Sequence, residues 1–72
     1  MRNVLLYTDE NGNWIAEVLS LPGCQSDGKT REEAIERVKE AIKVYIEALQ
    51  QDSLSIPEDY ANCELVSVEL VA

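Results

Sequence analysis

Residues 30–50 read TREEAIERVKEAIKVYIEALQ, and this stretch decides the fold. Ala34, Ile35, Val38, Ala41, Ile42, Tyr45, Ile46 and Leu49 recur at spacings of three and four, which places them on one continuous face of an α-helix. Thr30 followed by Glu33 is a capping box, in which the threonine oxygen accepts from the Glu33 N–H and the glutamate reaches back to the Thr30 N–H. Glu32, Glu36, Lys39, Glu40, Lys43 and Glu47 fill the opposite face, with Glu33/Arg37 and Lys43/Glu47 at i, i+4. Val44 is the apolar exception on that polar side. A helix with one apolar stripe needs a sheet to cover, and the sheet is sought on either side.

Upstream, residues 3–8 (Asn-Val-Leu-Leu-Tyr-Thr) read as a strand bounded by the polar run Asp9-Glu10-Asn11-Gly12-Asn13, in which Asn-Gly marks a hairpin. Trp14–Leu19 is a second strand with Trp14, Ala16 and Val18 on one face and Ile15, Glu17 and Leu19 on the other. Leu21-Pro22-Gly23 breaks it, and Cys24–Asp27 is read as a short third strand on the strength of that turn and of Gly28. Downstream, Gln51–Asn62 is a loop rich in Ser, Pro, Asp and Asn, tacked down by Leu54, Ile56 and Tyr60. Cys63–Val71 then alternates, Val66, Val68 and Leu70 against Ser67 and Glu69, as a half-buried strand does.

The expected fold is therefore α+β, a single domain over residues 1–72 with element order β-β-β-α-β. A right-handed crossover through the helix makes the last strand parallel to the first and gives a small, mostly antiparallel sheet of order 3-2-1-4. One helix shields one face of four strands, yet Leu5, Tyr7, Ile15, Leu19, Leu65 and Val71 put apolar groups on the other face too. A homo-oligomer, dimeric or larger, is expected through that second face or an exposed strand edge.

A chain of 72 residues and 8.1 kDa holds one small core. Its 6 basic and 14 acidic residues give a net charge of -8 and a pI near 4.2, a surface that repels phosphate backbones, so direct nucleic-acid binding is not expected. Nor is membrane insertion: the apolar run Val4–Tyr7 is far too short and is followed by Asp9 and Glu10, which points to a cytoplasmic protein. Histidine is absent and there are two cysteines, Cys24 and Cys63, read as reduced, buried small hydrophobes. Those residues assemble no Cys-His pair, no Ser-His-Asp triad and no four-ligand zinc site, and neither cofactor nor metal is expected.

The string Leu21-Pro22-Gly23-Cys24, then Ser26-Asp27-Gly28-Lys29-Thr30-Arg31-Glu32-Glu33-Ala34, with Glu10-Asn11-Gly12-Asn13-Trp14-Ile15-Ala16-Glu17-Val18 before it, resembles the HicB family of antitoxins. The likeness covers residues 3–50 well and the closing strand more loosely. It implies a partial ribonuclease-H-like fold of sheet plus helix that binds a small basic HicA-type toxin and silences its cleavage of messenger RNA. Longer members add a carboxy-terminal DNA-binding domain. This sequence ends at Ala72, just past its last expected strand, so the short form without that domain is expected.

Charge placement suggests where a partner docks. Residues 51–72 carry Asp52, Glu58, Asp59, Glu64 and Glu69 and no base, which accounts for 5 of the 8 net negative charges. Either this is a solvated rim, or it complements a basic RNA-binding partner. Partner-binding candidates are accordingly Asp52, Glu58, Asp59 and Glu64, with Trp14 and Val44 as apolar anchors. Two other functions compete: an orphan self-associating domain without a toxin, and a metal-dependent nuclease whose carboxylates would be Asp9 or Glu10 with Asp27. The second asks for converging carboxylates, and these acids fall in or beside turns where acids are normally solvated.

Overall fold

A computed structural model describes residues 1–71. The elements are β1 (Leu5–Thr8), β2 (Trp14–Glu17), β3 (Gln25–Gly28) and α1 (Arg31–Gln51), and the strands form one antiparallel sheet of order β1-β2-β3.

The first hairpin closes through Asp9. Its Oδ1 accepts from the Asn11 and Asn13 N–H groups, both at 2.9 Å, and Gly12 turns the chain at φ 80°. That turn sets the β1/β2 register at Leu5 opposite Glu17 and Thr8 opposite Trp14. Between β2 and β3 the chain makes a knot of short bonds: Leu21 N–H to Val18 O at 3.1 Å, Cys24 N–H to Leu21 O at 2.9 Å and Val18 N–H to Cys24 O at 3.0 Å. The third strand starts one residue later than the sequence suggests and pairs Gln25 with Glu17.

Leu21 is fully enclosed at the centre of the core, with Ala16, Val18, Cys24, Ala34 and Val38 buried around it. Val4, Leu6, Trp14, Ala41, Ile42 and Tyr45 pack against this cluster while remaining partly exposed. The alternation expected in β2 therefore holds, Ala16 and Val18 facing inward. The helix stripe is covered only in part. α1 packs mainly on β3 and β2, so Ile35, Ile42 and Ile46 are half-buried on its β1 side.

At the helix start, the Thr30 Oγ1 accepts from the Glu33 N–H at 3.1 Å. Glu33 does not complete the reciprocal half of the box; its carboxylate pairs with Arg37 at 3.0 Å instead. The second expected pair, Lys43 with Glu47, is replaced among the described residues by Lys39 with Glu36 at 3.1 Å. Because one cap bond carries this terminus, Thr30→Ala is expected to cost about 1 kcal/mol. That corresponds to a fall in Tm of roughly 5 °C in a domain this small, measurable by thermal denaturation followed by circular dichroism.

The fourth strand is the main correction. Residues 63–71 form no regular secondary structure, so the sheet has three strands rather than the order 3-2-1-4. Alternating hydropathy reports a strand only where a sheet edge joins it, and here the tail joins none. Leu65, Val66, Val68, Leu70 and Val71 are all exposed, at 65% or more.

Candidate functional site

The acidic segment is tied to the rest of the chain at the start of β1. The Arg2 guanidinium donates to the Ser20 hydroxyl at 2.9 Å and to the Pro57 carbonyl. The Asn3 N–H donates to Asp59 Oδ2 at 2.7 Å, and the Asn3 amide reaches the Tyr60 carbonyl at 3.4 Å and the Cys63 Sγ at 3.9 Å. Residues 57–63 are thereby laid across the N-terminal segment, and nothing in the local sequence pattern announces these ties. Those to residues 57–63 join positions more than fifty apart, beyond the reach of periodicity or spacing.

Asp59 thus has a structural task. The Asn3 N–H bond holds its carboxyl below the usual carboxylate range, against the opposing effect of desolvation, with lesser help from the Ser20 hydroxyl, the Tyr60 N–H and the Arg2 charge. Its Oδ1 is shielded from solvent and has no hydrogen bond of its own among the described residues, so Ser20 and Tyr60 act on the carboxylate at longer range. The anchor is at full strength above the unfolded carboxylate pKa of about 3.9 and is lost as pH falls through the lower folded value. The Asn3 amide resonance is expected to titrate below about pH 4 together with the Asp59 carboxyl, as followed by NMR. A flat Asn3 shift across that range would show the bond to be absent in solution.

The other partner candidates are spread out. Glu58 and Glu64 are exposed, Glu64 beside a hollow lined by Asn3, Val4, Leu5, Leu19, Cys63 and Leu65. Asp52 caps the end of α1, its N–H bonded to the Ala48 carbonyl at 3.2 Å, with its side chain exposed. Val44 is 60% exposed at the rim of a shallow apolar patch with Gly23, Cys24, Ala41 and Tyr45. Trp14 is half-buried and packs on the core. Asp59 and Glu64 share the start of β1, whereas Val44 and Trp14 belong to other surfaces.

Around Val44, the Tyr45 hydroxyl donates to the Pro22 carbonyl at 2.9 Å and pins the Leu21-Pro22-Gly23 turn to the helix. The cysteines part company. Cys24 is buried, and that burial pushes its thiol up, against a weaker pull from Arg2, as suits a packing role. Cys63 is free but exposed, contrary to its expected burial.

The carboxylates considered for metal chemistry are placed apart from one another in role. Asp9 is engaged by three donors of its own turn, and Asp27 is exposed on β3 opposite Ile15. Among the described residues no three His, Cys, Asp or Glu side chains gather as a metal site, and no helix is long and apolar enough to cross a membrane.

Comparison with known proteins adds the family. Residues 3–68 match the family described as HicB-like antitoxin of bacterial toxin-antitoxin system. A UPF0150 protein of Thermoplasma acidophilum is 43% identical over 65 residues, covering 90% of this chain and 91% of the relative. One of Archaeoglobus fulgidus is 46% identical over 68 residues, covering 94% and 87%, and one of Helicobacter pylori 45% over 53, covering 74% and 72%. No solved structure matches the chain significantly. The match runs from the start of β1 through the helix and well into the tail, over the same Pro-Gly-Cys turn and capped helix that shape the core, and this chain belongs to the HicB-like antitoxin family.

Proposed function

We propose that this chain is the antitoxin of a type II toxin-antitoxin system and neutralises a small, basic, HicA-type mRNA-cleaving toxin by binding it, without catalysis of its own. The family match over residues 3–68 carries the reading. The acid-only stretch from Gln51 supports how the binding works: exposed Asp52, Glu58, Glu64 and Glu69 steer a cationic, RNA-contacting surface toward the chain. Exposed charges set the rate of encounter more than the affinity, so apolar burial at Val44, or at the open edge of Trp14, supplies the lasting contact. The reading includes a cytoplasmic protein, self-association, and a partial ribonuclease-H-like fold built on the three-stranded sheet and helix.

The test is to mix the purified chain with the basic protein encoded beside it and follow RNA cleavage and association kinetics. Inhibition at equimolar ratio is expected, with association slowing as salt rises. Changing Glu58 and Glu64 to Lys together should slow association several-fold with folding unchanged. Asp59 is left intact because it anchors Asn3. If no basic neighbour binds, the self-associating orphan replaces this reading. If the chain alone cleaves RNA with magnesium and loses that on Asp27→Asn, the binding role is wrong.

A further inference from the structure

Two apolar surfaces of the three-layered chain stay open. One is a groove of about 700 Å³ between the N-terminal segment and α1, lined by Val4, Ile35, Val38, Ile42 and Ile46. Its charged residues Arg2, Lys39 and Asp59 are of both signs and are engaged with Ser20 and Pro57, Glu36 and Asn3 respectively, so charge favours no occupant there. The other is the face of the sheet turned away from α1, where charge does discriminate.

Alternation from the buried Ala16 assigns that outer face. Leu5, Glu17 and Gln25 form one row across the three strands, and Tyr7, Ile15 and Asp27 the next. Leu5, Tyr7 and Ile15 are not among the apolar side chains packed on the core, and Tyr7 is 42% exposed. The hollow shared with Leu19 and Leu65 takes in Leu5, but not Tyr7 or Ile15. Glu17 and Asp27 are diagonal neighbours on adjacent strands, about 7–8 Å apart. Neither has an ion pair among the described residues. The whole sheet is drawn from residues 3–28, which hold Asp9, Glu10, Glu17 and Asp27 and no Lys or Arg. Of the bases beyond that stretch, Lys29 follows β3 directly, and Arg37 bonds the Asp27 carbonyl while paired with Glu33. The face stays net negative.

We infer that this outer sheet face is a docking surface for a basic protein, with Tyr7 and Ile15 taking apolar contact and Glu17 and Asp27 holding an Arg or Lys side chain between them. A guanidinium suits the pair, because its planar fork of donors can bond both carboxylates while its flat face lies on the Tyr7 ring. A cation placed there also offsets the repulsion of two like charges at that spacing. A second copy of this chain does the reverse. Docked face to face about a two-fold axis, it sets the Glu17 and Asp27 pair against its own image. Its helix interleaves Arg31, Arg37, Lys39 and Lys43 with Glu32, Glu33, Glu36, Glu40 and Glu47, and so presents no basic surface either. The chain's own tail brings Glu64 and Glu69 and no base. Every occupant drawn from this chain adds acid to acid, and a partner with excess positive charge removes it. The inference rests on the proposed function for who that partner is, and gives it a contact area on the layer opposite the helix that carries Val44.

The experiment titrates the isotopically labelled full chain with the basic protein encoded beside it, following amide shifts by NMR and binding kinetics in parallel. The Tyr7, Ile15, Glu17 and Asp27 amides are expected to shift on binding. Glu17→Lys with Asp27→Lys should weaken binding by about tenfold or more, chiefly through faster dissociation, and the neutral pair Glu17→Gln with Asp27→Asn several-fold. Tyr7→Ala should also speed dissociation several-fold. Glu32→Lys with Glu47→Lys makes the same change in net charge on the helix and should leave dissociation unchanged. Helical circular dichroism should be preserved in all of these variants. If the neighbour binds and the Glu17/Asp27 variants dissociate no faster than the helix pair, this surface is wrong while the antitoxin reading stands. If the wild type does not bind the neighbour, that reading and this inference fall together. Self-association of the chain alone that Tyr7→Ala abolishes would mean that a second copy occupies the face, and would overturn the inference too.

Discussion

Leu21→Ala is expected to cost about 3 to 5 kcal/mol, the upper part of the range for buried leucine truncations. Leu21 is 0% exposed and belongs to one buried cluster with Ala16 and Val18 from the sheet side and Ala34 and Val38 from the helix. The cost is high because the surroundings cannot collapse into the vacated space. Leu21 sits in a turn clamped by its bonds to Val18 and Cys24, and the Tyr45 hydroxyl holds the Pro22 carbonyl at 2.9 Å. A chain of 72 residues has a total stability of roughly 4 to 11 kcal/mol, so this one change removes about a quarter of it or more. Urea denaturation measures it directly: the midpoint should fall with the slope unchanged. The same truncation at Ile42, which is only half-buried beside the open groove, should cost less than half as much.

That contrast shows what could be read in advance. The three strands, the helix and the cap at Thr30 are local signals, and each lies within a residue or two of its expected place. Periodicity identified which residues of α1 are apolar, but it gives every member of the stripe equal standing. Tertiary placement divides them: Ala34 and Val38 are sealed under β2 and β3, while Ile35 and Ile46 line the groove. Leu21, the most enclosed large side chain, stood in a stretch read only as a strand breaker.

The tail illustrates the opposite case. Its alternation was legible, but a strand is a property of two segments, and the single chain does not join this one to β1. Of the candidate docking residues, composition could locate the acid-only segment but could not separate its members. Asp59 is spent on Asn3, whereas Glu58 and Glu64 are free to face a partner, a distinction carried by contacts across 56 residues of sequence.

Gly28→Ala should be nearly as damaging, at about 3 kcal/mol, the top of the usual range for overpacking. A Cβ at this position would stand 2.6 Å from the Ala34 backbone N and 3.0 Å from the Glu33 backbone C. Neither is the end of a flexible side chain. Both belong to the first turn of α1, which begins three residues after Gly28 and already directs the Ala34 N–H to the Thr30 carbonyl at 3.1 Å. To admit a methyl group the helix start must lift from β3, which loosens Ala34 and Val38 over Leu21 and strains the Thr30 cap. Gly12 is the matched control, with its φ of 80° and nothing within 4 Å of a built Cβ. There alanine meets only backbone strain, about 1 kcal/mol, and the core is untouched. Chemical denaturation of the two variants side by side should therefore rank Gly28→Ala well below Gly12→Ala in stability. Equal losses would mean that the helix does not approach β3 as closely as 2.6 Å requires.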